Sequence, residues 1–205
     1  APDHIICTNS VPAYFLAEPP QNVHITAPVS VVVTDYSLHW YWVQPNVRFY
    51  FVATEAVRRQ LIREANIQPS QVVVSGIPVD PIWYEPADRA ALGKKLALPL
   101  DRTIIMDLSG GHGLIDLVEV VNQLEKVNRP LTIIAVAGKN EALQQKLTDL
   151  PNTKHELKVL GWTNDMPDLV RLADVVISKS GGLTTTECMV SGKPLLAVFP
   201  IPGQE

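Results

Sequence analysis

Within a chain of 205 residues, the run SKSGGLTTTEC, Ser178 to Cys188, concentrates the residue types that grip a phosphate. It follows the apolar run ADVVI, Ala173 to Ile177, and leads into a helical pattern. Gly181 and Gly182 permit a tight turn and put no side chain between the peptide N–H groups and a ligand. Ser180 precedes them, and Leu183, Thr184 and Thr185 follow at the helix start, where unpaired amides and the helix dipole favour an anion. Glu187 comes one turn in, placed to hold sugar hydroxyls. This is the chemistry needed to hold a nucleoside diphosphate joined to a sugar. The spacing Thr184-x-x-Glu187 equally fits a capping box, in which both side chains serve only the helix's own first amides. On these residues alone the two readings stand side by side.

A second glycine turn, SGGHG, runs from Ser109 to Gly113 and also follows an apolar run. Gly110, Gly111 and Gly113 would bring backbone close to phosphate, and His112 would point at phosphate or substrate or lie idle on the surface. The turn has neither full GxGxxG spacing nor the Lys-Ser/Thr of a P-loop. Asp35 ends the run VVVTD, with His39 four residues on, a pair suited to general-base work or to binding a hydroxylated acceptor. The plainer reading makes Asp35 a turn cap and packs His39 with Trp40, Tyr41 and Trp42. Those three aromatics in a row are expected to be exposed, where they could dip into lipid headgroups. The five histidines lack ligand-like spacing, the two cysteines do not form a pair, and no GxSxG elbow occurs. No metal and no cofactor are expected, and catalysis falls to positioning and electrostatics.

Short β-rich runs alternate with amphipathic segments, as in βαβ units on parallel sheets. Strands are predicted at HIICT, VSVVVTD, FYFVAT and VVVSGIPV, with a helix at EAVRRQLIREA whose charges form a solvated face or touch an anionic membrane surface. The segment GIPVDPIWYEP, Gly76 to Pro86, has three prolines and no periodicity and reads as a stiff connector. A second series follows from Thr103: TIIMDL, a helix carrying Leu114, Leu117, Val118, Val121 and Leu124 on one face, then LTIIAVAG, NEALQQKLTDL, LKVLGWT, MPDLVRLA, DVVISK, TTTECMVSG and PLLAVFP. Gly192 suits the stop of the last helix. The fold class is α/β, with two Rossmann-like domains at 1–80 and 81–205. In such sheets ligands sit beyond the carboxyl ends of the strands.

Hydrophobic residues make up 46% and charged residues 19%, enough to build packed cores. The net charge of −4 and the lack of a basic stripe argue against a nucleic-acid partner. Cys7 and Cys188 fall on apolar segments, as in a reduced protein, and no apolar run reaches the ~18–20 residues of a membrane span.

Taken together, LGWTNDMPDLVRLADVVISK and SGGLTTTECMVSGKPLLAVFPIPGQE resemble the C-terminal donor-binding domain of the monogalactosyldiacylglycerol synthase and processive diacylglycerol glucosyltransferase family. VVVTDYSLHWYWVQPNVRFYFVATEAVRRQLI and VVVSGIPVDPIW resemble the second half of that family's N-terminal domain and its linker. These are inverting glycosyltransferases of the two-Rossmann, GT-B type, related to the enzyme that adds N-acetylglucosamine to the lipid-linked peptidoglycan precursor.

The resemblance implies a UDP-sugar on the second domain. Uracil would meet the backbone near Trp162 and Thr163. The Gly110-Gly111-His112-Gly113 turn and the turn from Ser180 to Thr185 would flank the diphosphate. Glu187 would bind the ribose, and Gln204 with Glu205 would hold the sugar. It implies hexosyl transfer to diacylglycerol, no bound metal, and a peripheral place on the cytoplasmic face of the plasma membrane, reached mostly through N-terminal sequence that has no counterpart here. Asp35 and His39 would serve the acceptor side, and the main base would lie in that same absent part. The chain is expected to be an internal piece that binds UDP but turns over poorly. The first glycine turn is less glycine-rich than in relatives, and Asp80 stands where they often carry Arg. Transfer of N-acetylglucosamine to a polyprenyl lipid, UDP-sugar epimerisation and a non-catalytic binding module are the alternatives.

Overall fold

The computed structural model describes residues 2–19, 21–108, 116–151 and 154–198. The chain divides into two compact units, one reaching to Val79 and the other starting at Asp80.

In the first unit four short parallel strands pair in chain order: β1 (Ile5–Cys7), β2 (Val29–Val32), β3 (Val47–Val52) and β4 (Val72–Val74). β-Branched and aromatic residues dominate them, as a pleated, covered surface favours. Val31, Val33, Tyr50 and Val52 form a buried core with Val57 and Leu61 of α2 (Glu55–Glu64), whose other face is charged. Thr54 starts α2 by accepting the Val57 amide at 3.3 Å. A helix not anticipated from the sequence, α1 (Ser10–Ala17), begins at Asn9, whose side chain accepts the Val11 amide. Its Pro12 lies in the first turn, where no amide donor is lost.

The second unit holds five parallel strands, β5 (Thr103–Leu108), β6 (Leu131–Val136), β7 (Glu156–Leu160), β8 (Val175–Ser178) and β9 (Leu195–Ala197), in the order β7-β6-β5-β8-β9. The interleaved helices are α3 (Arg89–Leu96), α4 (Leu117–Leu124), α5 (Glu141–Thr148), α6 (Met166–Leu172) and α7 (Gly182–Val190). Asp88, Asp116 and Asn140 cap α3, α4 and α5 through their side chains. Ile105, Ile133, Ala135 and Ile177 face Leu117, Val120, Val121 and Leu147 in one core. The order doubles back between β5 and β8, making this the switch point at which a doubly wound sheet opens a crevice.

The connector carries a 3-10 turn over Pro81–Tyr84 that begins at Asp80, whose carboxylate accepts the Ile82 amide. Cys7 and Cys188 are free and buried.

Candidate functional site

The carboxyl ends of β5, β6, β7 and β8 enclose a pocket of about 180 Å3. Leu108 and Val136 close their strands against it, Ser178 closes β8, and Gly138, Gly161, Trp162, Thr163, Met166 and Thr184 complete the wall. Its volume is below the ~300 Å3 at which drug-sized pockets begin, so it suits a single small ring. The lining is mainly apolar, with backbone and hydroxyl groups at the rim.

Each wall residue is positioned by local folding. Gly138 has φ +62°, a left-handed conformation that a side chain would strain. Ser178 is buried, and its hydroxyl donates to the Leu108 carbonyl at 3.4 Å, tying β8 to β5 across the switch point. The Thr163 hydroxyl accepts the Asp165 amide at 3.1 Å, which shapes the entry into α6. Trp162 is 67% exposed at the rim, and the Lys139 ammonium lies 4.9 Å from its ring centroid. An exposed indole beside a small apolar pocket offers a platform for a flat base.

At the same edge α7 opens with Gly181 as N-cap, and no side chain caps its first amides. The capping-box reading of Thr184 and Glu187 therefore falls: both lie inside the helix, past the cap position. The Thr186 hydroxyl instead donates to the Gly182 carbonyl at 2.7 Å. The Thr185 hydroxyl oxygen is buried without a partner among the described residues. Thr184 lines the pocket. Glu187 is half-buried, and loss of water around it raises its carboxyl above the usual carboxylate range. The helix thus presents bare amides, an unused hydroxyl and a carboxylate within two turns, the donor and acceptor set of an anion joined to a polyol.

The predicted residues Trp162, Thr163, Gly181, Gly182, Leu183, Thr184, Thr185 and Glu187 are therefore grouped at one edge of one sheet, with Ser180 entering the same turn. Gly110, Gly111, His112, Gly113, Gln204 and Glu205 lie outside the described residues. Sequence reasoning missed Leu108, Val136, Gly138, Gly161 and Met166, and included Ser178 only as the start of the phosphate-gripping run. For all of these but Met166, which opens α6, the available signal was their place at the ends of apolar runs, where a parallel sheet opens.

Asp107, also missed, is fully buried next to Leu108. Neither carboxyl oxygen has a regular hydrogen-bond partner among the described residues. Burial raises its pKa from 3.8 to about 8, offset only in part by the Leu108 amide.

In the first unit Asp35 and His39 do meet. The Trp42 indole N–H donates to Asp35 Oδ2 at 2.9 Å, and His39 Nε2 lies 3.4 Å from the same oxygen. Trp40 and Tyr41 are 61% and 68% exposed, but Trp42 is only 2% exposed. The expectation of three exposed aromatics is thus corrected to two. The hydrogen bond to Asp35 lets the indole N–H go inside satisfied. α1 packs against this turn and leaves Val11, Tyr14 and Phe15 exposed. Among the described residues there is no cluster of three metal-ligating side chains and no helix long and apolar enough to cross a membrane.

A doubly wound parallel sheet with a small pocket and an uncapped helix start at its carboxyl edge defines an α/β protein of the Rossmann-like type. Residues 1–79 match the family model for monogalactosyldiacylglycerol (MGDG) synthase, and residues 108–205 match that for the glycosyltransferase family 28 C-terminal domain. The chain is thus similar to MGDG synthases over its first part and to family 28 glycosyltransferases over its second. It is 35% identical over 205 residues to a processive diacylglycerol beta-glucosyltransferase of Bacillus pumilus, spanning all of this chain and 53% of that protein. Among solved structures it resembles Acinetobacter baumannii MurG, with TM-score 0.59 and 21% identity over 98% of this chain and 53% of that one. It also resembles Anabaena HepE in complex with UDP-glucose, with TM-score 0.61 and 19% identity over 95% and 59% of the two chains. These likenesses show the GT-B fold. The chain spans about half the length of the curated relatives it matches.

Proposed function

We propose that this chain is the donor-handling part of a glycosyltransferase that passes glucose or galactose from a UDP-sugar to diacylglycerol with inversion. The observation that carries the reading is the pocket at the β5–β8 edge meeting the uncapped start of α7. A pyrimidine base fills the pocket against Trp162, the diphosphate takes the α7 amides, and Glu187 holds the ribose hydroxyls. Negative charge developing on the departing diphosphate is then met by oriented amides that need no rearrangement. The names of the relatives supply the diacylglycerol acceptor and favour glucose.

On the acceptor side we assign Asp35, fixed by the Trp42 indole, to orient His39 towards a hydroxylated acceptor. We further assign Val11, Tyr14, Phe15, Trp40 and Tyr41 to a lipid surface, since Val11 and Phe15 offer apolar area and the polar-tipped rings of Tyr14, Trp40 and Tyr41 favour the headgroup layer. On this reading the protein works peripherally on a membrane.

Isothermal titration of the 205-residue chain with UDP tests the core of the reading. Binding is expected, with competition by UDP-glucose or UDP-galactose and weaker competition by ADP. Absence of heat from UDP would refute it. Preference for UDP-N-acetylglucosamine would move the assignment to an amino-sugar transferase.

A further inference from the structure

The two helices that begin at the pocket end at the connector. Met166, the first residue of α6, lines the pocket, and α7 starts within two residues of Thr184 in the same wall. At the other end of α6 stands Arg171, a guanidinium only 8% exposed. Its Nη1 donates to the carbonyls of Glu85 at 3.2 Å and Ile82 at 3.4 Å, both in the connector. Its Nε donates to the Pro167 carbonyl at 3.2 Å, and Nη2 pairs with Asp168. At the far end of α7, the Ser191 hydroxyl donates to the Trp83 carbonyl at 3.4 Å, and α7 packs on the turn that contains it. Trp83 itself is buried.

Three successive parts of the connector, Ile82, Trp83 and Glu85, are therefore held through their carbonyls by side chains from the pocket helices. The charge balance supports a built clamp. Asp168 accepts from Lys95 of α3 at 2.6 Å as well as pairing with Arg171, and Lys95 also reaches Asp165 at 2.9 Å. The Lys95 and Arg171 contacts hold the Asp168 carboxyl below the usual carboxylate range. A buried arginine is tolerated because its donors and its charge are met. On the other side, the amides of Ser75 and Gly76 both donate to the Val52 carbonyl of β3, so that end belongs to the first unit. Between the two anchorages lie Ile77 to Pro81; Asp80 joins the turn because its carboxylate and carbonyl accept the Ile82 and Trp83 amides, which leaves Ile77, Pro78 and Val79 outside both anchorages.

We infer that Arg171 is a positioning residue that, with Ser191, makes the connector turn part of the donor-site body. Filling the pocket is then felt at residues 80–85 through α6 and α7, and flexing of the chain is confined to Ile77–Val79. The inference rests on the donor reading above and extends it to a residue that touches no substrate.

Hydrogen-exchange mass spectrometry on the 205-residue chain, beside UDP titration by calorimetry, tests it. In the wild type, saturating UDP should slow exchange across residues 80–85 about threefold or more. In Arg171→Met and in Ser191→Ala that slowing should be lost, while UDP affinity stays within about threefold and Arg171→Lys restores part of it. UDP heat without any change at residues 80–85 overturns the inference and leaves the donor reading standing. No UDP heat overturns the donor reading instead, and the ligand-free comparison then decides on the clamp. Faster exchange at 80–85 in Arg171→Met upholds the clamp, and exchange equal to wild type overturns it. Should Arg171→Met fail to fold, the Ser191→Ala chain carries the same comparison, because it removes one hydroxyl from a half-buried position.

Discussion

Replacing Asp107 with Asn should make the protein more stable as pH rises, and the size of the gain follows from the burial of this carboxyl. Asp107 is fully inaccessible, flanked by Ala135 and Ile177 on the adjoining strands, and without a regular hydrogen bond among the described residues. Its pKa moves from 3.8 to about 8 because burial disfavours the charged form. Between those values the folded chain holds a proton that the unfolded chain has released, so stability falls as pH rises. Above about 8 both states are ionised, and below about 4 both are protonated, so the effect is flat outside the window. At ~1.4 kcal/mol per pH unit, the penalty grows by up to roughly 4 kcal/mol between pH 5 and pH 8. Local relaxation and water entry would lower this to about half. Asn has nearly the same shape and does not ionise, so its own burial cost is the same at every pH. Urea denaturation of both proteins at pH 5, 6.5, 8 and 9 gives the difference directly, and contributions from every other group cancel in it. The expected result is a stability difference, Asp107→Asn variant minus wild type, that climbs through pH 8 and then levels. A difference that stays constant within about 0.5 kcal/mol, where roughly 2 or more is expected from the linkage slope, would refute the reasoning.

Other perturbations separate the parts of the site. Trp162→Ala should weaken UDP binding by about tenfold, since stacking on an exposed indole contributes about 1–3 kcal/mol per base; calorimetry checks it, and an unchanged affinity would remove the base from this pocket. Glu187→Ala should cost UDP a comparable factor, consistent with about 1.5–3 kcal/mol for a hydrogen bond to a charged group, while leaving pyrophosphate binding unaltered in competition assays. Asp35→Ala should lower stability by about 1–3 kcal/mol, because the Trp42 indole N–H is left buried and unpaired. Asp35→Asn should recover most of that in urea melts. Trp40→Ser with Tyr41→Ser should reduce partition onto diacylglycerol-containing vesicles at least fivefold in sedimentation assays and leave UDP affinity unchanged.

The glycine turn at Gly181-Gly182 and the strand-helix alternation were legible because each depends on residues adjacent in the chain. α7 shows the limit of that reading, since Thr184 and Glu187 fit a cap by spacing. The helix instead starts at Gly182, which places both past the first turn position a cap needs. The pocket floor was not legible, because Leu108, Val136, Gly161 and Ser178 stand at the ends of four strands or just past them, brought together only by the order β7-β6-β5-β8. α1 was missed for a different reason. SVPAYFLA has no charged residue and no amphipathic period, and its apolar side chains Val11, Tyr14 and Phe15 stay outside. Asp107 reads as one polar residue in an apolar run, and Arg171 as an ordinary basic residue near a helix end. Only coordinates reveal that the first is sealed in and the second reaches back to residues 82–85.

The pairing of β5 with β8 also constrains how the polypeptide matures. Ile105 registers with Val175, so one side of the central strand waits for a partner that emerges 70 residues later. At translation speeds of ~5–20 residues per second, that side stays open for several seconds on the ribosome. Its apolar TIIMDL sequence is unshielded there during that interval. Chaperone demand should therefore peak while residues 109 to 175 are being made, and slowing elongation within that span should raise the insoluble yield more than slowing it after β9.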